Sequence, residues 1–139
     1  MKPFEEELRG LVGEWLRKAD LDFDVVARLA SEGERFRDAV AFHAQQAVEK
    51  YLKALLVRHQ VEFPKTHDIE RLLQMLQQVE PAIVEGLTDA KWLTPFGVDI
   101  RYPADVPETL PGDQVRAFEL AQRVKDGVMS VLAAYLAGR

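Results

Sequence analysis

Apolar side chains recur every three or four positions through four stretches of the chain, the spacing that lines one face of an α-helix. The first stretch runs from about Phe4 to Ala30, with Phe4, Leu8, Leu11, Val12, Trp15, Ala19, Phe23, Val26 and Ala30 on its stripe. Gly33 follows it as a stop signal. The second stretch, about Arg35 to Gln60, carries Phe36, Val40, His43, Ala47, Tyr51, Ala54 and Leu55 without an interrupting Gly or Pro. Phe63-Pro64 closes it, because the residue before a proline avoids the helical region. The third begins at Thr66, an expected cap, and turns Ile69, Leu72, Leu73, Leu76 and Val79 inward; Pro81 then opens a short helix with Ile83 and Leu87. The fourth starts near Asp113, an expected N-cap after Pro111-Gly112, and carries Val115, Phe118, Ala121, Val124, Val128, Val131, Leu132 and Tyr135.

No stretch alternates with the period of a strand. The pattern predicts an all-α fold: an antiparallel up-and-down helical bundle of four main helices plus a short extra helix, as a single domain over residues 1–139. The first two helices are long and closely joined, so they are expected to form a hairpin. Residues 94–112 break the pattern with Pro95, Gly97, Pro103, Pro107, Pro111 and Gly112. A connection of that length in a compact domain is often functional. Trp15, Trp92, Phe23, Phe36 and Phe118 are expected in the core. Phe42, Val48, Leu52 and Val57 lie off the main stripe of the second helix, which implies a second packing surface and a homodimer.

Composition narrows the function. The 139 residues are 47% apolar, enough for one core without a staple. The absence of cysteine excludes disulfides and thiolate chemistry. A net charge of −5, from 18 basic and 23 acidic residues, disfavours coating nucleic acid and leaves room for a small phosphate site. Glu5, Glu6, Glu7, Arg9 and Glu14 leave no signal-peptide core, and no apolar run approaches the roughly 20 residues that cross a bilayer. A cytoplasmic protein with no membrane contact is expected.

Motifs for nucleotidyl transfer, hydrolysis and dinucleotide binding are missing: there is no phosphate-cradling glycine loop and no nucleophile elbow. Metal binding is not expected, because a site needs about three converging protein ligands and the three histidines are dispersed along the chain. No cofactor is expected either. Glu49 and Lys53 are four apart in the order that favours a surface pair, which reads either as a solvated face or as a polar groove that includes Lys50. His43 falls on an apolar stripe and reads as a core or interface histidine with one nitrogen satisfied. Arg37 and His43 are six apart on one helix, about 120° around it, and do not converge.

Three segments resemble the HEPN family (higher eukaryotes and prokaryotes nucleotide-binding). Phe42-His-Ala-Gln-Gln-Ala-Val-Glu-Lys-Tyr-Leu-Lys-Ala-Leu-Leu56 is similar to the family's second helix nearly residue for residue. Pro64-Lys-Thr-His-Asp-Ile69 with Leu72 and Leu73 is like the start of its third, and Arg101-Tyr102-Pro103 is like the short motif before its last helix. Trp15, Ala19 and Asp20 to Asp22 suit its first helix, and the resemblance spans about residues 10–137. It implies a helical bundle, often a homodimer. Small prokaryotic members are commonly encoded beside a minimal nucleotidyltransferase and act with it as a two-component system, often toxin and antitoxin. Many members are metal-independent ribonucleases, with an arginine, four to six residues, then a histidine near the last helix. After Arg101 the histidine slots hold Val106, Pro107 and Glu108, and no histidine follows His67.

Two functions follow from the resemblance. One is a binding module for a minimal nucleotidyltransferase partner, contacting nucleotide or RNA and performing no chemistry of its own. The other is a divergent metal-independent ribonuclease. The expected contact site centres on Arg101 and Tyr102, with Glu49, Lys50, Lys53 and His67 nearby. Arginine offers a planar fork for phosphate or carboxylate, tyrosine a flat face for a base, and Pro103 stiffens the chain after them. The plainer alternative is that Arg101 pairs with Asp99, Asp105 or Glu49 and pins the loop.

Overall fold

The structure, a computed structural model, describes residues 3–97 and 107–138. Helix α1 (Pro3–Ala30) leads through a single 3₁₀ turn (Glu34–Phe36) into α2 (Arg37–Arg58). Short helices α3 (Ile69–Leu76) and α4 (Pro81–Val84) follow, then a 3₁₀ stretch (Thr88–Phe96) and the long α5 (Asp113–Leu136). Among the described residues there is no strand, so the fold is the expected all-α bundle.

The helices begin and end for local reasons. Glu5 and Glu6 in the first turn of α1 and Arg28 in its last complement the helix dipole. Gly33, at φ 95°, then turns the chain in a conformation that side chains disfavour. Two expected caps differ. Asp68, rather than Thr66, caps α3: its Oδ1 accepts from the amide of Glu70 at 3.0 Å, because the helix starts at Ile69. Thr66 instead accepts from the amide of Asp68 at 3.1 Å. Gly112, with φ 91°, stands at the N-cap of α5, and Asp113 turns back to accept from the amide of Leu110 at 2.7 Å. Helix α3 also stops at Leu76, short of Val79, and Pro81 starts the next helix as its fixed φ favours.

Helix α2 is the axis of the bundle, with α1, α5, α3 and the 3₁₀ stretch packed around it. Asp22 of α1 meets His43 and Lys50 of α2, while Arg9 reaches Tyr135 and Lys125 reaches Asp20. Helix α1 therefore runs antiparallel to α5, and also to α2, where Asp22 lies at His43 and Trp15 at Lys53. One contiguous core takes side chains from every α-helix. Val48 and Leu52 belong to it and are fully buried, while Phe42 and Val57, the other two residues of the second apolar face of α2, are half-buried. Phe4, Leu11 and Val115 are about half exposed or more, contrary to their place on the expected stripes. Val12, Leu16, Ala19, Phe23 and Val26 set the inward face of α1, and Leu11 lies about 100° away from Val12. Val115 similarly falls outside the face of Ala117, Ala121, Val124 and Val128.

Candidate functional site

A polar ladder runs through the core on one side of α2. Gln45, Glu49 and Lys53 are spaced by four, so they rise along one face of the helix. All three are buried. Lys53 donates to Glu49 Oε1 at 2.6 Å, and Gln45 Nε2 donates to Glu49 Oε2 at 3.0 Å. The ammonium of Lys53 lies 5.8 Å from the ring of Trp15 and 5.6 Å from that of Phe63, and these rings meet edge to face at 6.2 Å. The two aromatic rings keep water from the pair, so of the two readings of Glu49 and Lys53 the solvated face does not hold. Such a pair adds little net stability over an apolar one, but removing one partner strands the other charge.

His67, in the loop before α3, completes the ladder. Its Nδ1 lies 3.0 Å from Glu49 Oε2, and Gln45 Nε2 also donates to its backbone carbonyl at 3.0 Å. Burial works to raise the pKa of Glu49, but hydrogen bonds from Lys53, His67 and Gln45 outweigh it and hold the carboxyl below its usual range. An ionised carboxylate only accepts, so His67 donates to it from Nδ1. The imidazole is 53% exposed while the Glu49 side chain is 7% exposed.

Lys50 does not join this group. It is one residue beyond Glu49, about 100° around the helix, and donates to Asp22 Oδ2 at 2.5 Å. His43 Nδ1 lies 2.9 Å from the other oxygen of Asp22, so His43 is half-buried with one nitrogen satisfied, as its stripe position suggested. Beside them Tyr51 donates to Asp20 at 2.5 Å, and burial together with Asp20 pushes its phenol far above the usual range. Arg37 turns instead to Thr109 and Glu34, so its sequence spacing to His43 brings no convergence.

Arg101 and Tyr102 lie outside the described residues. The chain on either side of them is anchored to α2. Gly97 packs so closely on Gln45 that an added Cβ would sit 1.9 Å from the amide carbon, and φ there is −98°, so glycine is needed for space and not for conformation. Thr109 donates to Asp38 at 2.6 Å and accepts from Arg37 Nε at 3.2 Å. Gly112 donates to Glu34 at 3.2 Å; hydrogen bonds from Gln114 and then Gly112 lower the pKa of Glu34. The anchor points at residues 37–38 and 45 are about 12 Å apart along the helix axis.

The HEPN domain family model matches residues 12–131. The chain belongs to the HEPN domain family. No curated protein and no solved structure matches it significantly. The matched span of this HEPN domain contains the whole ladder and both anchors. A cleft of about 270 Å³ between α3, α4 and the 3₁₀ stretch is lined by Glu70, Leu73, Gln74, Gln77, Val84, Thr88 and Lys91, none of them an expected site residue. Among the described residues no cluster of three or more His, Asp or Glu could hold a metal ion, and no helix is long and apolar enough to cross a membrane.

Gln45 was not expected at the site, nor were Gly97 and Asp22, which the sequence placed only in the long connection and the first helix. The four-residue rhythm of Gln45, Glu49 and Lys53 could have revealed the first. No local signal marks the other two, because each is defined by a contact across elements.

Proposed function

We propose that this HEPN domain is a binding module that acts with a minimal nucleotidyltransferase in a two-component, toxin–antitoxin type system. Membership of the family supports a nucleotide- or RNA-related role in general. The observation that carries the finer reading is the buried ladder of Gln45, Glu49 and Lys53, which ends in the exposed ring of His67 and whose Gln45 packs on Gly97. Four residues after Gly97 stands Arg101, followed by Tyr102. In this reading Arg101 supplies the two-pronged contact to phosphate or carboxylate and Tyr102 stacks on a base, in a cytoplasmic homodimer. Lys50, tied to Asp22, is a less favoured contact.

Co-purification from a host that encodes both proteins tests the partner: the nucleotidyltransferase should be retained after nuclease treatment, and its absence removes the reading. Arg101→Ala should weaken nucleotide, RNA or partner binding by tenfold or more, about 1.4 kcal/mol, with little change in melting temperature. A mutant that melts several degrees lower and binds normally would make Arg101 a pin for the loop. Light scattering tests the homodimer against a 15.8 kDa monomer.

A second reading, metal-independent ribonuclease, is favoured by one observation. His67 is an exposed imidazole held by a buried carboxylate, an arrangement suited to proton transfer. Its test is cleavage of RNA by the purified protein with a chelator present.

A further inference from the structure

Glu70, Leu73 and Gln74 of α3 and Gln77 at its C-cap are spaced by three and four, which puts them on one face of that helix. Thr88 and Lys91 are three apart in the 3₁₀ stretch, where that spacing brings side chains into line. With Val84 of α4 they line the cleft of about 270 Å³. We propose that this cleft is a docking site for a segment of a partner protein, which inserts one leucine- or phenylalanine-sized side chain and flanks it with an acidic and a basic residue. The site shares no residue with the polar ladder and requires neither the partner reading nor the ribonuclease reading.

The cleft has the anatomy of an interface anchor. Leu73 and Val84 are 4% and 5% exposed and supply its apolar floor. Glu70, Gln74, Gln77 and Lys91 add their aliphatic stems, while each of them stays exposed. An apolar hollow inside a polar rim is how protein interfaces seat one apolar side chain. An apolar cavity of about 150 Å³ holds one benzene ring, so this hollow has room for a leucine or phenylalanine side chain and part of its backbone.

The rim sets the rest of the partner's chemistry. It carries one acid, Glu70, and one base, Lys91. Among the described residues neither of these side chains makes an ion pair, and those of Gln74, Gln77 and Thr88 make no hydrogen bond. Asp89 pairs with Arg123 of α5 at 3.7 Å, so it does not neutralise Lys91. A segment with an acidic residue for Lys91 and a basic one for Glu70 satisfies both charges. Its backbone amides match the three uncharged groups, each of which can donate and accept. A small molecule fits less well. Such ligands bury most of their surface, whereas every polar residue around this cleft is exposed. A protein segment brings its own surroundings to cover the rim. The walls are also in place beforehand. The amide of Ile69, at the start of α3, donates to Thr94 Oγ1 of the 3₁₀ stretch at 3.1 Å. His59 Nε2, at the end of α2, lies 2.9 Å from Oε1 of Glu80 at the N-cap of α4. Little ordering of the cleft is left to oppose binding.

The test is an NMR titration of the full chain with acetyl-Asp-Gly-Leu-Gly-Lys-amide, its counterpart with Phe for Leu, and the two reversed sequences. Saturable shifts should appear at the amides of α3, α4 and the 3₁₀ stretch in the millimolar range. Replacing the central residue by Ala should weaken binding about tenfold or more, as loss of a buried leucine requires. Lys91→Glu and Glu70→Lys should each weaken it about two- to fivefold, the range of exposed ion pairs. Gln74→Trp, at an exposed position, should fill the cleft and abolish the shifts while the helical spectrum is kept. Failure of all four peptides to shift these amides overturns the proposal. So does N-acetyl-leucine amide binding as tightly as the peptides, which would make the cleft a small-molecule site. Binding that survives Gln74→Trp overturns it as well, because the peptide would then sit elsewhere.

Discussion

Two neighbouring faces of α2 carry the same three chemical groups, a carboxylate, a lysine and a histidine, and treat them differently. On one face Glu49 and Gln45 are buried with Lys53, whose ammonium lies against Trp15 and Phe63, and His67 reaches solvent. On the other, Asp22 comes from α1 and holds His43 and Lys50 in a half-buried seam, where all three side chains keep some contact with water. The ionic partners are equally close, so distance does not distinguish them. Water does. A charge pair that keeps its hydration gains little and loses little, whereas a buried pair is costly to break, because the survivor cannot recover its solvent.

The largest test of this contrast is Glu49→Ala against Asp22→Ala. The first strands Lys53 in an apolar setting and should cost about 3–5 kcal/mol in chemical denaturation. The second leaves Lys50 able to rehydrate and should cost about 1 kcal/mol. Equal losses would break the comparison. Gly97→Ala comes next. It forces a methyl group into the Gln45 amide and should cost about 1–3 kcal/mol. Pairing it with Gln45→Ala should recover part of the loss, with a coupling above about 0.5 kcal/mol in a double-mutant cycle; strict additivity would show that the two do not meet.

Acid titration sharpens the contrast. The folded carboxyl of Glu49 lies below its ordinary 4.5, so its contribution is present above that value and is lost as pH falls through the folded pKa. The stability gap between wild type and Glu49→Gln should therefore hold steady from pH 7 to 5 and narrow below about 4.5. A gap that widens in acid would reverse the assigned sign. The smallest effect is expected from Lys50→Met, within about 0.5 kcal/mol of wild type, because Asp22 keeps some contact with water and keeps His43.

Much of this was legible in the residues. Helix positions follow from three-and-four spacing, because a helix returns to the same face every 3.6 residues whatever surrounds it. The motif of α2, the loop at Pro64-Lys-Thr-His-Asp-Ile69 and the closure at Gly33 are likewise local, and with them went the family and the bundle. The stripes were less exact at Phe4, Leu11 and Val115, since a pattern shows that a face is apolar but not how far its neighbours extend to cover it.

Burial of the Glu49–Lys53 pair was decided only by tertiary structure. Spacing by four makes the pair on any helix, but Trp15 of α1 and Phe63 of the following loop determine whether water reaches it. Tertiary structure also sent Lys50 and His43 to Asp22, and placed Gly97 against Gln45. Each of these contacts joins residues at least 21 positions apart, and their register depends on how whole helices pack. The chemical groups and their order along α2 were in the sequence; which of them lost water, and which ring was left facing it, came from the packing of the bundle.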